Sequence, residues 1–131
     1  MVMPVVFEKV DGRYIWRPED APLVPDYRLL DYSPVSFPDE AAARAMYDEI
    51  LFTRHVHGRH LLTDTQLNRL LNYAAEMCGE KCVFKGFVVQ SDEHIDGRNW
   101  DINWYGTDVG TRQLMHNAVA KLRKTANLLD T

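Results

Sequence analysis

Apolar and polar positions along this chain alternate at first, then recur every three or four residues, then alternate again, and finally return to the longer period. The first alternation, Val5 to Trp16, reads as a β-hairpin. Two β-rich runs meet at Asp11 and Gly12, a dipeptide suited to a type I′ turn. The next stretch, residues 17–38, holds Pro18, Pro22, Pro25, Pro34 and Pro38, each of which fixes φ and disfavours helix at the residue before it. Leu29, Leu30, Tyr32, Val35 and Phe37 make it too apolar for a disordered tail, so an extended segment crossing the core, with a short edge strand, is expected.

Helical periodicity follows. Pro38 suits a first turn, and Asp39 and Glu40 complement the positive end of a helix dipole. Ala43, Met46, Tyr47, Ile50 and Leu51 then fall on one face, predicting a helix that ends before Gly58. A second helix starts at Thr63 and Gln66, which fit a capping box, with Leu62 and Leu67 as its hydrophobic staple. Leu67, Leu70, Leu71, Ala74 and Ala75 form its apolar stripe, and Gly79 is placed to end it.

Residues 81–90 and 98–105 predict a second antiparallel pair. In the latter, Trp100, Ile102 and Trp104 alternate with Asp101, Asn103 and Tyr105, so one face is core and the other polar. The aromatics Trp100, Trp104 and Tyr105, with Tyr14 and Trp16, are read as core and not as a base-stacking platform, because Arg and Lys are sparse around them; on exposed faces Tyr105 and Tyr14 would instead be protein-contact anchors. A third helix is expected from about Thr111 to Leu129, with Met115, Ala118, Val119 and Leu122 on one side. The order β-β-α-α-β-β-α implies an α+β fold: an antiparallel sheet of two hairpins with three amphipathic helices packed on one face, in one domain over residues 1–131.

Composition narrows the function classes. With 46% apolar and 26% charged residues the chain is an ordinary globular sequence. No apolar run approaches the roughly 20 residues that span a bilayer, and the first residues lack the features of a signal peptide, so a cytoplasmic location without membrane contact is expected. Cys78 and Cys82 are too close together to close a stabilising loop, one residue too far apart for a redox pair, and are read as buried, reduced thiols. A formal net charge of −4 argues against broad nucleic-acid affinity. Between Glu19 and Glu49, acids including Asp39, Glu40, Asp48 and Glu49 face only Arg28 and Arg44, whereas the last helix carries Arg112, Lys121, Arg123 and Lys124. Those two ends can attract different partners.

Two constellations are candidates for chemistry. If Asp96 and Gly97 form a two-residue turn, Asp92 lies opposite Asp101 and His94 opposite Asn99. Asp92, His94, Asp101 and Asn103 then form a cluster able to hold a divalent metal or present a general base. A longer loop would leave them on the solvated side of a one-faced sheet, with no metal. The second candidate is Arg54, His55, His57, Arg59 and His60. It reads as a cationic helix end, as an anion-contacting loop, or as a metal site. Phosphate-binding loops, dinucleotide fingerprints, nucleophile elbows and zinc-hydrolase helices are absent from the sequence.

The leading expectation is a small acidic protein-binding module, a regulator or inhibitor of the kind phages and mobile elements encode, whose acidic flank, Tyr105 and polar strand face meet a partner with a basic surface. The alternative is a metal-dependent phosphoester hydrolase using Asp92, His94 and Asp101, with the Arg54–His60 segment holding the anion. A homodimer built by edge pairing of one hairpin is a third reading.

Overall fold

Strands β1 (Val5–Val10) and β2 (Arg13–Pro18) pair antiparallel with Val10 opposite Arg13. Asp11 and Gly12 take φ of 51° and 81° between them, the two-residue turn that the dipeptide predicts. The computed structural model describes residues 5–20, 29–92 and 97–129. Within the proline-rich segment, Phe37 lies alongside β2 as an edge bridge, exchanging two 2.8 Å backbone hydrogen bonds with Tyr14. The Ser33 N–H donates to the Trp16 carbonyl at 3.0 Å, and the Ser33 hydroxyl accepts from the Trp16 N–H at 3.2 Å. The outer edge of β2 is therefore covered by the chain's own crossing segment.

Aromatic packing fastens this hairpin to the helices. The Trp16 ring is fully buried, stacks on Phe37 at 5.4 Å and meets Tyr47 edge-on at 5.3 Å. Its indole N–H donates to the Leu29 carbonyl at 3.2 Å, so burial leaves no orphan donor. Losing such a ring to Ala costs about 3–5 kcal/mol.

Helix α1 (Glu40–Leu51) begins at Asp39, whose carboxylate accepts the Ala42 N–H at 2.7 Å, and it buries Ala43, Met46, Tyr47 and Ile50. Helix α2 (Asp64–Cys78) has the expected capping box: Thr63 Oγ1 accepts the Gln66 N–H at 3.1 Å while Gln66 Oε1 accepts the Thr63 N–H at 2.9 Å. Leu62 and Leu67, the staple residues, are both fully buried. Between these helices lie two short strands, β3 (His55–Val56) and β4 (Arg59–Leu62), that the hydrophobic pattern alone does not predict.

Strands β5 (Gly86–Gln90) and β6 (Trp100–Trp104) form the second expected pair, and Trp100 and Ile102 are buried. A Cβ on Gly86 would lie 2.7 Å from the Asn103 carbonyl oxygen, so only glycine lets these strands approach. Helix α3 (Val109–Thr125) is capped by Asp108 and stops short of the expected Leu129. The chain turns instead into β7 (Ala126–Leu128), which runs parallel to β4 with His60 opposite Ala126 and Leu62 opposite Leu128. Long-range donors meet the chain at this point. The Arg59 guanidinium donates to the Arg123 carbonyl at 2.5 Å and the Trp100 indole to the Ala126 carbonyl at 2.9 Å.

The described residues are thus α+β, with three helices and mostly antiparallel strands. The strands are divided among three small sheets, β1-β2, β3-β4-β7 and β5-β6, and each helix serves different ones: α1 packs on the first, α3 on the second, and α2 on α3 and β5. Asn68 shows how this division is enforced. Its Oδ1 on α2 accepts the Val88 N–H at 3.3 Å, closing the outer edge of β5 with a helix where another strand could have paired. No helix among the described residues is long and apolar enough to cross a membrane.

Candidate functional site

The register of the β5-β6 pair decides the fate of the carboxylate cluster. Val89 lies opposite Asp101, Gln90 opposite Trp100, and the Ser91 N–H donates to the Asn99 carbonyl. Asp92 is therefore out of register with Asp101, and the turn expected at Asp96 and Gly97 involves Asp96, which lies outside the described residues. The repulsion of two opposed carboxylates disfavours a register that sets them face to face. His94 falls outside the described residues. Asp101 is engaged elsewhere: its Oδ1 accepts the Ile102 N–H at 2.8 Å and the Arg123 Nη2 at 3.2 Å. Asn103 and Asp92 are exposed. Among the described residues no group of three or more His, Cys, Asp or Glu side chains is placed to hold a metal ion.

The Arg54–His60 segment is a hairpin rather than a loose cationic helix end. His57 and Gly58 take φ of 54° and 76°, a second type I′ turn, joining His55 to its cross-strand partner His60. The signal was present in the sequence, because His tolerates positive φ better than most residues and a glycine follows it. The hairpin splits the five candidates. Arg54, His55 and His57 are exposed, whereas Arg59 and His60 are only 8% and 1% exposed. Arg59 is committed to the carbonyls of Arg123 and Ala126 and to Asn127 Oδ1, closing the C-terminus of α3. An anion approaching this segment meets only the first three side chains.

Three of the four acids between residues 39 and 49 carry structural duties. Asp39 caps α1, Glu40 pairs with Arg44 one turn later at 3.2 Å, and Glu49 on α1 pairs with Arg69 on α2 while also accepting from Gln66 at 3.4 Å. The Arg69 hydrogen bond holds the Glu49 carboxyl below the usual carboxylate range against partial burial. Asp48 stays exposed on the outer side of α1. Cys78 and Cys82 are free and half-buried, and burial followed by the neighbouring Cys82 raises the Cys78 thiol, keeping it protonated and unreactive.

Two surface features stand out once the fold is assembled. On the outer face of β5-β6, Phe87 is 45% and Tyr105 67% exposed, with ring centroids 6.1 Å apart. Asp101 and Asn103 share that face, since each is the cross-strand partner of an outward residue of β5. Alternation in β6 expects Tyr105 there; Phe87 is hidden, because residues 86–89 are apolar at both strand parities and alternation cannot say which ring points out. The second feature is a cleft of about 450 Å³ between the end of β6 and one stripe of α3, walled by Trp104, Val109 and Val119 and bearing Arg112, His116 and Arg123. No protein family, curated protein or solved structure matches this chain.

Proposed function

We infer that this chain is a small acidic protein-binding module, a regulator or inhibitor that engages a partner presenting basic side chains, and that Phe87 and Tyr105 anchor the contact. The observation behind this reading is the pair of neighbouring, solvent-facing aromatic rings on a strand face that also carries Asp101 and Asn103. Aromatic side chains dominate protein interfaces because they bury large area at little entropic cost. Ring faces also accept cations, worth about 0.5–1 kcal/mol each when exposed and more when desolvated. The net charge of −4 favours encounter with a basic surface and raises the association rate at low salt. The acidic flank contributes this long-range field, since Asp39, Glu40 and Glu49 already have partners within the fold.

Photo-crosslinkers placed at positions 87 and 105, and at Asp48 as a distant control, in cells that produce the protein test this reading. The expected result is an adduct at positions 87 and 105 with one protein whose contact region is rich in Arg and Lys. In purified form that contact should weaken at least tenfold in a Phe87→Ser/Tyr105→Ser variant and with rising salt, while thermal stability stays within about 1 °C. Adducts at no position, or equally at all three, would overturn it.

A further inference from the structure

We propose that the cleft beside α3 binds a small organic anion, with an oxyanion held by Arg112 and Arg123 and an apolar planar body laid against Trp104, Val109 and Val119. Residues 109, 112, 116, 119 and 123 recur at helical spacing, so one stripe of α3 lines the cleft, and β6 contributes the indole. Among the described residues the lining contains two guanidiniums, one imidazole and one amide, Gln113, and no carboxylate. A second cleft of similar size, about 500 Å³ beside α2, sets Glu76 and Glu80 against a single guanidinium, that of Arg69, and lacks this excess of positive charge.

The two guanidiniums are held ready for a ligand. The Arg112 guanidinium carbon lies 4.7 Å from the Trp104 ring centroid, a cation–π contact that does not itself consume the N–H donors that a carboxylate or phosphate would need. Arg123 is held by Asp101 through Nη2 alone, and its Nε is buried without a hydrogen-bond partner. An unsatisfied buried donor destabilises the fold unless an acceptor reaches it, and a ligand oxyanion is such an acceptor. Carboxylate and phosphate both match the planar fork of Arg. The cleft volume lies within the roughly 300–1,000 Å³ of small-molecule sites.

Titration of the whole chain with 1-naphthoate, 1-naphthyl phosphate, 1-naphthalenemethanol and inorganic phosphate, followed by the Trp104 indole N–H in two-dimensional NMR, tests the site. At least one of the two aromatic anions is expected to saturate at submillimolar concentration, and whichever binds more tightly identifies the anion class. The neutral alcohol and inorganic phosphate should bind at least tenfold more weakly. Arg112→Gln, at an exposed position, and Arg123→Gln should each weaken the better anion at least tenfold, the first without loss of thermal stability. Failure of both anions to shift Trp104 would overturn the proposal. So would equal binding of the alcohol, or unchanged affinity in a folded Arg112→Gln variant.

Discussion

His55 Nε2 lies 3.2 Å from His60 Nε2 across the β3-β4 ladder, while His60 Nδ1 lies 3.1 Å from Thr53 Oγ1. The Thr53 hydroxyl donates its proton to the Ile50 carbonyl at 2.7 Å, so towards His60 it can only accept. That hydroxyl orientation predicts a proton on His60 Nδ1, a lone pair on its Nε2 and a donor at His55 Nε2. Long-range nitrogen–proton correlation spectra at about pH 8.5, above the ordinary imidazole range, should report the Nδ1–H form for His60 and the Nε2–H form for His55. Thr53→Val should release His60 to a tautomer mixture at a cost of about 1 kcal/mol. An Nε2-protonated His60 in the wild-type spectrum would contradict the chain of donors.

Arg59→Ala should be among the more damaging substitutions of a charged residue. It removes a buried guanidinium from the carbonyls that end α3, taking this donor from the Arg123 carbonyl while the Ala126 carbonyl keeps the Trp100 indole. The expected loss is about 2–4 kcal/mol by urea unfolding. Arg59→Lys keeps the charge but not the fork and should recover only part. A loss below about 1 kcal/mol for Arg59→Ala would mean that α3 ends without help from β4.

Asn99 acts as a strand residue through its side chain. Its Nδ2 donates to the Leu128 carbonyl at 3.0 Å and its Oδ1 accepts the Leu128 N–H at 2.8 Å, joining the β5-β6 pair to β7. Asn99→Asp removes the donor and sets a carboxylate against that carbonyl. It should cost about 1–3 kcal/mol at neutral pH, with accelerated amide exchange concentrated in β7. Unchanged exchange at Leu128 would show that β4 alone holds the strand.

The Glu49–Arg69 pair makes a pH-dependent contribution of predictable sign. Because the folded carboxyl is lowered, its contribution is fully present above the ordinary glutamate value near 4.5 and is lost as pH falls through the lowered folded value. Both side chains are more than a third exposed, so solvent screening limits the gain to about 1 kcal/mol or less. Wild type should exceed Glu49→Gln by that amount at pH 7, and the difference should shrink in 1 M salt and vanish in strong acid. A difference that grows on acidification would contradict the assignment.

Much of the fold was legible wherever one short-range interaction dictates it. The Asp11-Gly12 turn, the Asp39 cap, the Thr63–Gln66 capping box and the stripe from Leu67 to Ala75 each follow from residues within about two helical turns of one another. The candidate site was less legible. Tyr105 is readable from strict alternation in β6, but Phe87 sits in a run apolar at both parities, and Arg112 and Arg123 read only as part of the chain's basic end, with no sign of the cleft they share.

Turn chemistry, capping and periodicity are local, and they are enough to give the class of the molecule: α+β, three helices, one proline-rich crossing segment and a first hairpin. Tertiary structure alone decided where α3 ends, that Arg59 and His60 are buried, that Asp92 and Asp101 stand apart, and that α3 and β6 enclose a cationic cleft. Each of these depends on partners tens of residues away, such as Arg59 with Arg123 and Trp100 with Ala126. Hydrogen bonds and buried charge of that kind are settled only when packing brings the groups together, and no local pattern records them.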